Sequence, residues 1–466
     1  MKRATHAPPG LARPLRAPRR DGSVRRAPGR LRLAALVLAP VLLGASPAAG
    51  GGAEPGLSPE ERRIVDWVEA HEGEALALLE EAVEINSGTM SFAGVRRVGD
   101  LFAERLAALG FTTRWVEGAP FERAGHLFAT RPGGEPHVLL IGHLDTVFEA
   151  DSPFQRWEPL GDGWVRGPGI ADMKGGDVIL VQALGALHAA GGLDRLTVTV
   201  ALIGDEEKTG RPLELGRRDL REAADAADVA IAFENGDNRV DTAVVARRGS
   251  TSWRLEVAGR PAHSSQIFRD EVGAGAIFEA ARILDRFRSE LAGERHLTFN
   301  PGAIVGGTEA SFDAGPARGE AFGKNNVVAE RAIVTGDLRT ISPEQLARAK
   351  RRMQAAAADS LPHTSATLTF DDSYPPMPPS EGNLRLLAML DRVSRDLGHG
   401  PVTAVDPSDA GAADVAFTAG RVEMAIDGLG LLGRDEHTVE ETADLATLRV
   451  QTARAALLLN RLAGGG

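Results

Sequence analysis

The sequence predicts an α/β fold: a mostly parallel sheet with helices on both faces, interrupted by a separate α+β unit. Three observations carry that expectation. Residues 137–142 and 197–203 are short, almost wholly apolar runs bounded by turn residues, as expected of strands buried on both faces, and residues 176–190 between them read as a helix. Strand, helix, strand in that order implies parallel pairing under a helical cover. The second observation is a change of character near Arg248. From Ser252 to Ala258 the apolar Trp253, Leu255 and Val257 alternate with Arg254 and Glu256, the pattern of a half-buried antiparallel strand. The third is a stiff proline-rich return at residues 375–379, after which helix and strand patterns resume as far as Leu462.

In chain order, arginines crowd up to Arg32, an apolar run follows from Leu33 to Ala45, and Ser46-Pro47-Ala48-Ala49 offers a small-residue cleavage site. Residues 1–48 therefore read as a signal peptide, and the chain as exported, periplasmic or secreted. Thirteen apolar residues broken by Pro40 fall short of the roughly 20 that span a bilayer, so no stable membrane anchor is expected. Arg19-Arg20 and Arg25-Arg26 leave a twin-arginine route open. Ser58-Pro59-Glu60-Glu61 combines an N-cap, a first-turn proline and a capping-box glutamate, opening a helix that carries Ile64, Val65 and Val68. The first part of the main α/β unit runs over residues 58–246 and its second part over 374–463. Between them, residues 247–373 hold a helix at 272–291, a strand-like stretch at 326–338, a helix capped by Ser342-Pro343 and a strand-like stretch at 366–370.

Composition narrows the chemistry. At 466 residues, 43% of them hydrophobic, the chain can bury two cores. It has no cysteine, which excludes disulfides, a thiolate nucleophile, iron–sulfur clusters and cysteine-based zinc fingers, so any metal must sit on His, Asp and Glu. Ten of the basic residues fall within 1–48 beside a single acid, which leaves the remainder with a formal charge of -20. So acidic a body argues against nucleic acid as a partner.

Five motifs carry candidate chemistry. His143-Leu144-Asp145 ends the first buried strand, and residues two apart on a strand point the same way. Asp145 can therefore receive the ring N–H that His143 does not need for a metal. Taken alone, the pair is also explained by a surface His and Asp. Asp172 sits in the glycine-dense loop 167–176, where backbone must approach something closely, although in isolation it reads as an ordinary helix-capping aspartate. Asp205, Glu206 and Glu207 crowd the mouth of the second buried strand, where open α/β sheets place ligands, and they repel one another unless a cation sits among them. Another apolar strand delivers Glu234, and a loop before the last helix supplies His437.

Taken in order, H-x-D, G-x-x-D-M-K-G, D-E-E, F-E and E-H-T resemble the co-catalytic zinc hydrolase family that includes glutamate carboxypeptidase, acetylornithine deacetylase and succinyl-diaminopimelate desuccinylase. The resemblance runs from about Ser58 to Leu462. It implies two Zn²⁺ per chain, replaceable by Co²⁺ or Mn²⁺, with His143 and Glu234 on one, Glu207 and His437 on the other, and Asp172 bridging both. Glu206 would be the general base, Asp145 the acid that orients His143, and the Asp172-Met173 peptide would be cis. Two divalent ions, three carboxylates and a bridging hydroxide sum to zero, so such a cluster can be buried. Aminopeptidase and dipeptidase relatives tend to carry Asp where this chain has Glu234, which points to the carboxypeptidase and deacylase branch.

The resemblance extends to the inserted unit, which it makes a dimerisation lid. His263 would reach the partner subunit's metals and donate to the oxyanion. Asn326 and Arg339 would contact substrate, and the fork of an arginine suits a carboxylate. There are two departures. Ala329 stands where relatives often have proline, and Tyr374-Pro375 stands where glutamate carboxypeptidases carry Arg-Pro. The expected protein is an exported, homodimeric two-zinc metallopeptidase releasing a C-terminal amino acid from a small peptide. The alternative is an N-acyl amino acid deacylase with the same site. A metal-free binding protein on the same fold is disfavoured, because all five ligand residues are present.

Overall fold

The computed structural model describes residues 56–315 and 317–465, and the segment read as a signal peptide lies outside the described residues. The first helix, Pro59–Ala70, starts at a complete capping box. Ser58 Oγ accepts from the Glu61 N–H, and the Glu61 carboxylate accepts from the Ser58 N–H at 2.8 Å. Arg461 then reaches Glu61 at 2.7 Å, which ties this helix to the last one, Ala446–Leu462.

Strands His137–His143 and Thr197–Ile203 pair in parallel, with His143 opposite Ile203, and Val229–Ala232 joins the free side of the first. The six-stranded sheet reads Thr112–Glu117, Gly125–Arg131, Thr197–Ile203, His137–His143, Val229–Ala232, Met424–Ile426. Only Gly125–Arg131 runs against its neighbours. Alternate residues feed two cores. Val138, Leu140, Val198 and Val200 pack with the helix Gly175–Ala189 on one face, while Leu139, Ile141, Ala201 and Ile203 pack with Val415 and Phe417 on the other. Burial on both faces explains why these strands lack a polar alternation. It also puts the carboxyl ends of all the parallel strands along one sheet edge, which positions the site.

The segment after Arg248 builds a second sheet in the order Thr298–Gly307, Arg331–Thr340, Gly249–Gly259, Thr364–Asp372, with every pair antiparallel. Trp253, Leu255 and Val257 face Ala280, Ile283, Phe287 and Met353 from the helices Gly275–Leu291 and Pro343–Ala358, forming a core of their own. Two expected boundaries move. The helix expected from residue 272 starts at Gly275, because Gly273 and Gly275 hold φ of 76° and 78°, which a right-handed helix cannot propagate. The strand expected from residue 326 starts at Arg331. Val328 instead donates to the Ala262 carbonyl at 2.9 Å, so residues 326–328 cross the His263 turn through a single bridge at Val327. The hairpin Glu309–Asp313 with Arg318–Phe322, and the strand Thr298–Gly307, were not anticipated. No helix of the described residues is long and apolar enough to cross a membrane.

Candidate metal centre

His143 is the last residue of its strand and is buried. Its Nδ1 lies 3.0 Å from the Asp145 backbone carbonyl. A carbonyl can only accept, so Nδ1 carries the proton and Nε2 presents its lone pair to the sheet edge. This corrects the expectation for Asp145, whose carboxylate is 3.6 Å from that nitrogen. The turn after the strand aims the acid instead at the D-E-E loop. There Asp145 accepts from the Glu206 N–H at 2.9 Å, the Glu207 N–H at 3.2 Å and the Thr89 hydroxyl at 2.6 Å.

Asp172 lies in the turn Ile170–Lys174, and the Asp172-Met173 peptide is cis, as the resemblance implies. The glycines around it answer to close approach: a Cβ on Gly176 would sit 2.0 Å from the Phe233 carbonyl. Buried Glu441 holds the turn from the other side, accepting the N–H groups of Gly169 at 2.9 Å, Ala171 at 3.0 Å and Asp172 at 3.1 Å. Glu234 is fixed through its N–H, which donates to Asp427 at 3.1 Å, and Asp427 is paired with buried Arg247 at 2.7 Å.

The donor atoms converge. Asp172 Oδ1 is 3.0 Å from His143 Nε2, and its Oδ2 is 3.0 Å from His437 Nε2. Glu234 Oε1 lies 3.5 Å from the first histidine and Glu207 Oε2 lies 3.2 Å from the second. Each imidazole thus faces one private carboxylate and one oxygen of a shared carboxylate. His143, Asp172 and Glu207 each offer a ligand atom within 4.8 Å of the others. This donor set of imidazole and carboxylate fits divalent transition ions, and its division into two halves about Asp172 fits two of them.

The electrostatics of the bare residues give the same account. Burial pushes Glu206 and Glu234 well above the usual carboxylate range, and the neighbouring acids add to it. Hydrogen bonds to Asp172 and Glu207 push the His437 imidazole up to about 11. Burial opposes protonation of His143, but Glu234 and Asp172 outweigh it and raise this imidazole as well. The acids are drawing in whatever positive charge is present, a role that cations fill without protonating the ligands. A cavity of about 690 Å³ opens on Asp172 and His437 and is lined by Asn235, Asp237, Asn238, Asp409 and Glu436.

The structure thus brings together His143, Asp172, Glu206, Glu207, Glu234 and His437, with Asp145 behind them. His263, Asn326 and Arg339 stand apart from this cluster. His263 is exposed and hydrogen-bonds Ser265 through Nδ1 at 2.9 Å, which leaves Nε2 free. Asn326 is its neighbour, accepting the Ser264 N–H at 2.9 Å, and Arg339 pairs with Asp337 at 2.9 Å. Sequence reasoning missed Thr89, Glu441 and the Arg247–Asp427 pair. Each is a polar group whose partner lies far along the chain, and local spacing carries no mark of that. The position of Glu441, four residues after His437, was the one available hint.

The sequence model of peptidase family M20/M25/M40 matches residues 139–461, which span every one of these motifs. Carboxypeptidase G2 of Pseudomonas sp. (strain RS-16) is 26% identical over 395 residues, covering 83% of this chain and 89% of that protein. A succinyl-diaminopimelate desuccinylase of Bradyrhizobium sp. (strain BTAi1) is 26% identical over 402 residues, covering 80% and 96%. Among solved structures, a dinuclear metal binding peptidase of the M20 family from Bacillus subtilis shares the fold, with a TM-score of 0.58 at 15% identity over 85% of this chain and 100% of that one. The chain therefore belongs to peptidase family M20/M25/M40, a family of metal-dependent hydrolases acting on amide bonds.

Proposed function

We propose that this chain is an exported two-zinc carboxypeptidase that releases a C-terminal amino acid from a small peptide or N-acyl conjugate. The observation that carries the reading is Asp172, whose two oxygens each face a different histidine at 3.0 Å. His143 and Glu234 would hold one ion, His437 and Glu207 the other, and Asp172 both. Bound there, divalent ions supply a water of lowered pKa and polarise the scissile carbonyl. Glu206 accepts a proton from the attacking water and returns it to the leaving nitrogen. Its carboxylate is free for this: among the described residues, its hydrogen bonds run only through its backbone.

The inserted unit serves as a lid and dimer interface. Exposed Phe268, Ile277, Phe278, Ile304 and Phe322 give it apolar surface that a second copy would bury. His263 from the partner subunit then donates to the oxyanion, while Asn326 and Arg339 contact the substrate.

A second reading, an N-acyl amino acid deacylase, is favoured by the desuccinylase relative, which matches over 96% of its length. A hydrolysis panel of zinc-loaded protein separates the two. Release of the C-terminal residue from peptides supports the first reading, and cleavage confined to N-acetyl or N-succinyl amino acids supports the second. Glu206→Gln should keep both ions and lower kcat by about 10² to 10⁴. Turnover near wild type would remove Glu206 as the base.

A further inference from the structure

Tyr374 is the only tyrosine in the chain and comes two residues after the last strand of the inserted sheet, Thr364–Asp372. It does not face solvent: the residue is 8% exposed, and its ring packs against Phe417 at 5.4 Å between centroids. Its hydroxyl donates to the backbone carbonyl of Glu206 at 2.9 Å. Arg217 Nη2 lies 3.4 Å from the same hydroxyl. That arginine is wholly buried and pairs with Asp205 at 2.5 Å and Asp414 at 2.7 Å, so it is a fixed charge rather than a mobile one.

The consequence falls on the two successive peptide units that flank Glu206. The Glu206 N–H is held by Asp145 and its carbonyl by Tyr374, while the preceding residue, Asp205, is gripped by Arg217 through its carboxylate and its carbonyl. A second tie runs in parallel, since Arg211 of the same loop pairs with Asp371 at 2.9 Å. The loop carrying Glu206 and Glu207 is thus fastened to the end of the inserted sheet. Among the described residues the carboxylate of Glu206 has no such partner, so the peptides that flank it set its position.

We propose that Tyr374 is a positioning residue for the base, its hydroxyl, seated by Arg217, fixing the Glu206 peptide and so the direction from which the carboxylate meets the attacking water. This rests on the reading of Glu206 as the base.

Tyr374→Phe removes the hydroxyl and keeps the ring. It should lower kcat by about tenfold, with KM within about twofold and zinc content unchanged. The decisive comparison is the same substitution in Glu206→Gln, where it should lower the residual turnover by less than about twofold because the group it positions is gone. Wild-type kcat in Tyr374→Phe overturns the proposal. So do equal losses in both backgrounds, which assign the effect elsewhere. A Glu206→Gln enzyme with near wild-type kcat defeats the base and the proposal together, whereas an inactive Glu206→Gln beside a fully active Tyr374→Phe defeats the proposal alone.

Discussion

His126 lies beneath the D-E-E loop, where its Nδ1 accepts the Gly204 N–H at 3.1 Å and its Nε2 donates to the Gly216 carbonyl at 2.8 Å. The first bond requires the neutral ring, because a protonated Nδ1 cannot accept, and burial pushes this imidazole down to about 4. An unfolded histidine titrates near 6.5, so between those values the unfolded chain binds the extra proton. The contribution to stability is therefore complete above about pH 6.5 and is lost as pH falls through about 4, amounting to about 3 kcal/mol. Urea unfolding of chelator-treated protein at pH 7 and pH 4 should show His126→Gln losing about 3 kcal/mol less than wild type over that interval. Equal losses would mean that the ring titrates normally. At this scale the residues that converge about Asp172 were legible in the sequence, because each sits at a strand end or in a loop within a fixed order of motifs. Asp145 was legible as a residue but not in its contacts, since the H-x-D spacing cannot tell a bond to its carboxylate from one to its carbonyl.

The turn that carries Asp172 depends on a single acceptor from another part of the chain. Glu441 takes the N–H groups of Gly169, Ala171 and Asp172, and without it buried donors are left unpaired. Glu441→Ala should therefore weaken zinc binding by about 10- to 100-fold in a chelator competition, in the range seen when a group supporting a metal ligand is removed. Unchanged affinity would show that the turn holds itself. Among the elements, the buried strands and the capped helices Pro59–Ala70 and Pro343–Ala358 could be read from pattern and caps alone. The hairpin at residues 309–322 could not. Its strands are five residues each, and Arg318–Phe322 is exposed throughout, so no buried face imposed an apolar alternation on it.

At the scale of the whole molecule, the proposed function has the inserted unit working in trans. His263→Ala and Glu206→Gln chains should each be nearly inactive alone, since loss of an oxyanion donor costs about 10² to 10³ in kcat. Mixed under subunit exchange, they should regain activity, because one site of each mixed dimer has both groups intact. Verified mixed dimers that stay inactive would confine His263 to its own turn. The division into an α/β body and an α+β insertion could be read from the switch between all-apolar and alternating strands. The role proposed for His263 is invisible to periodicity and entered only through the resemblance. All of this rests on two ions divided about Asp172, and zinc titration of chelator-stripped protein tests that most directly. The account predicts that wild type binds two ions per chain and that Asp172→Asn binds both far more weakly; a wild type that saturates at one ion per chain, or an Asp172→Asn variant that keeps two with undiminished affinity, would contradict it.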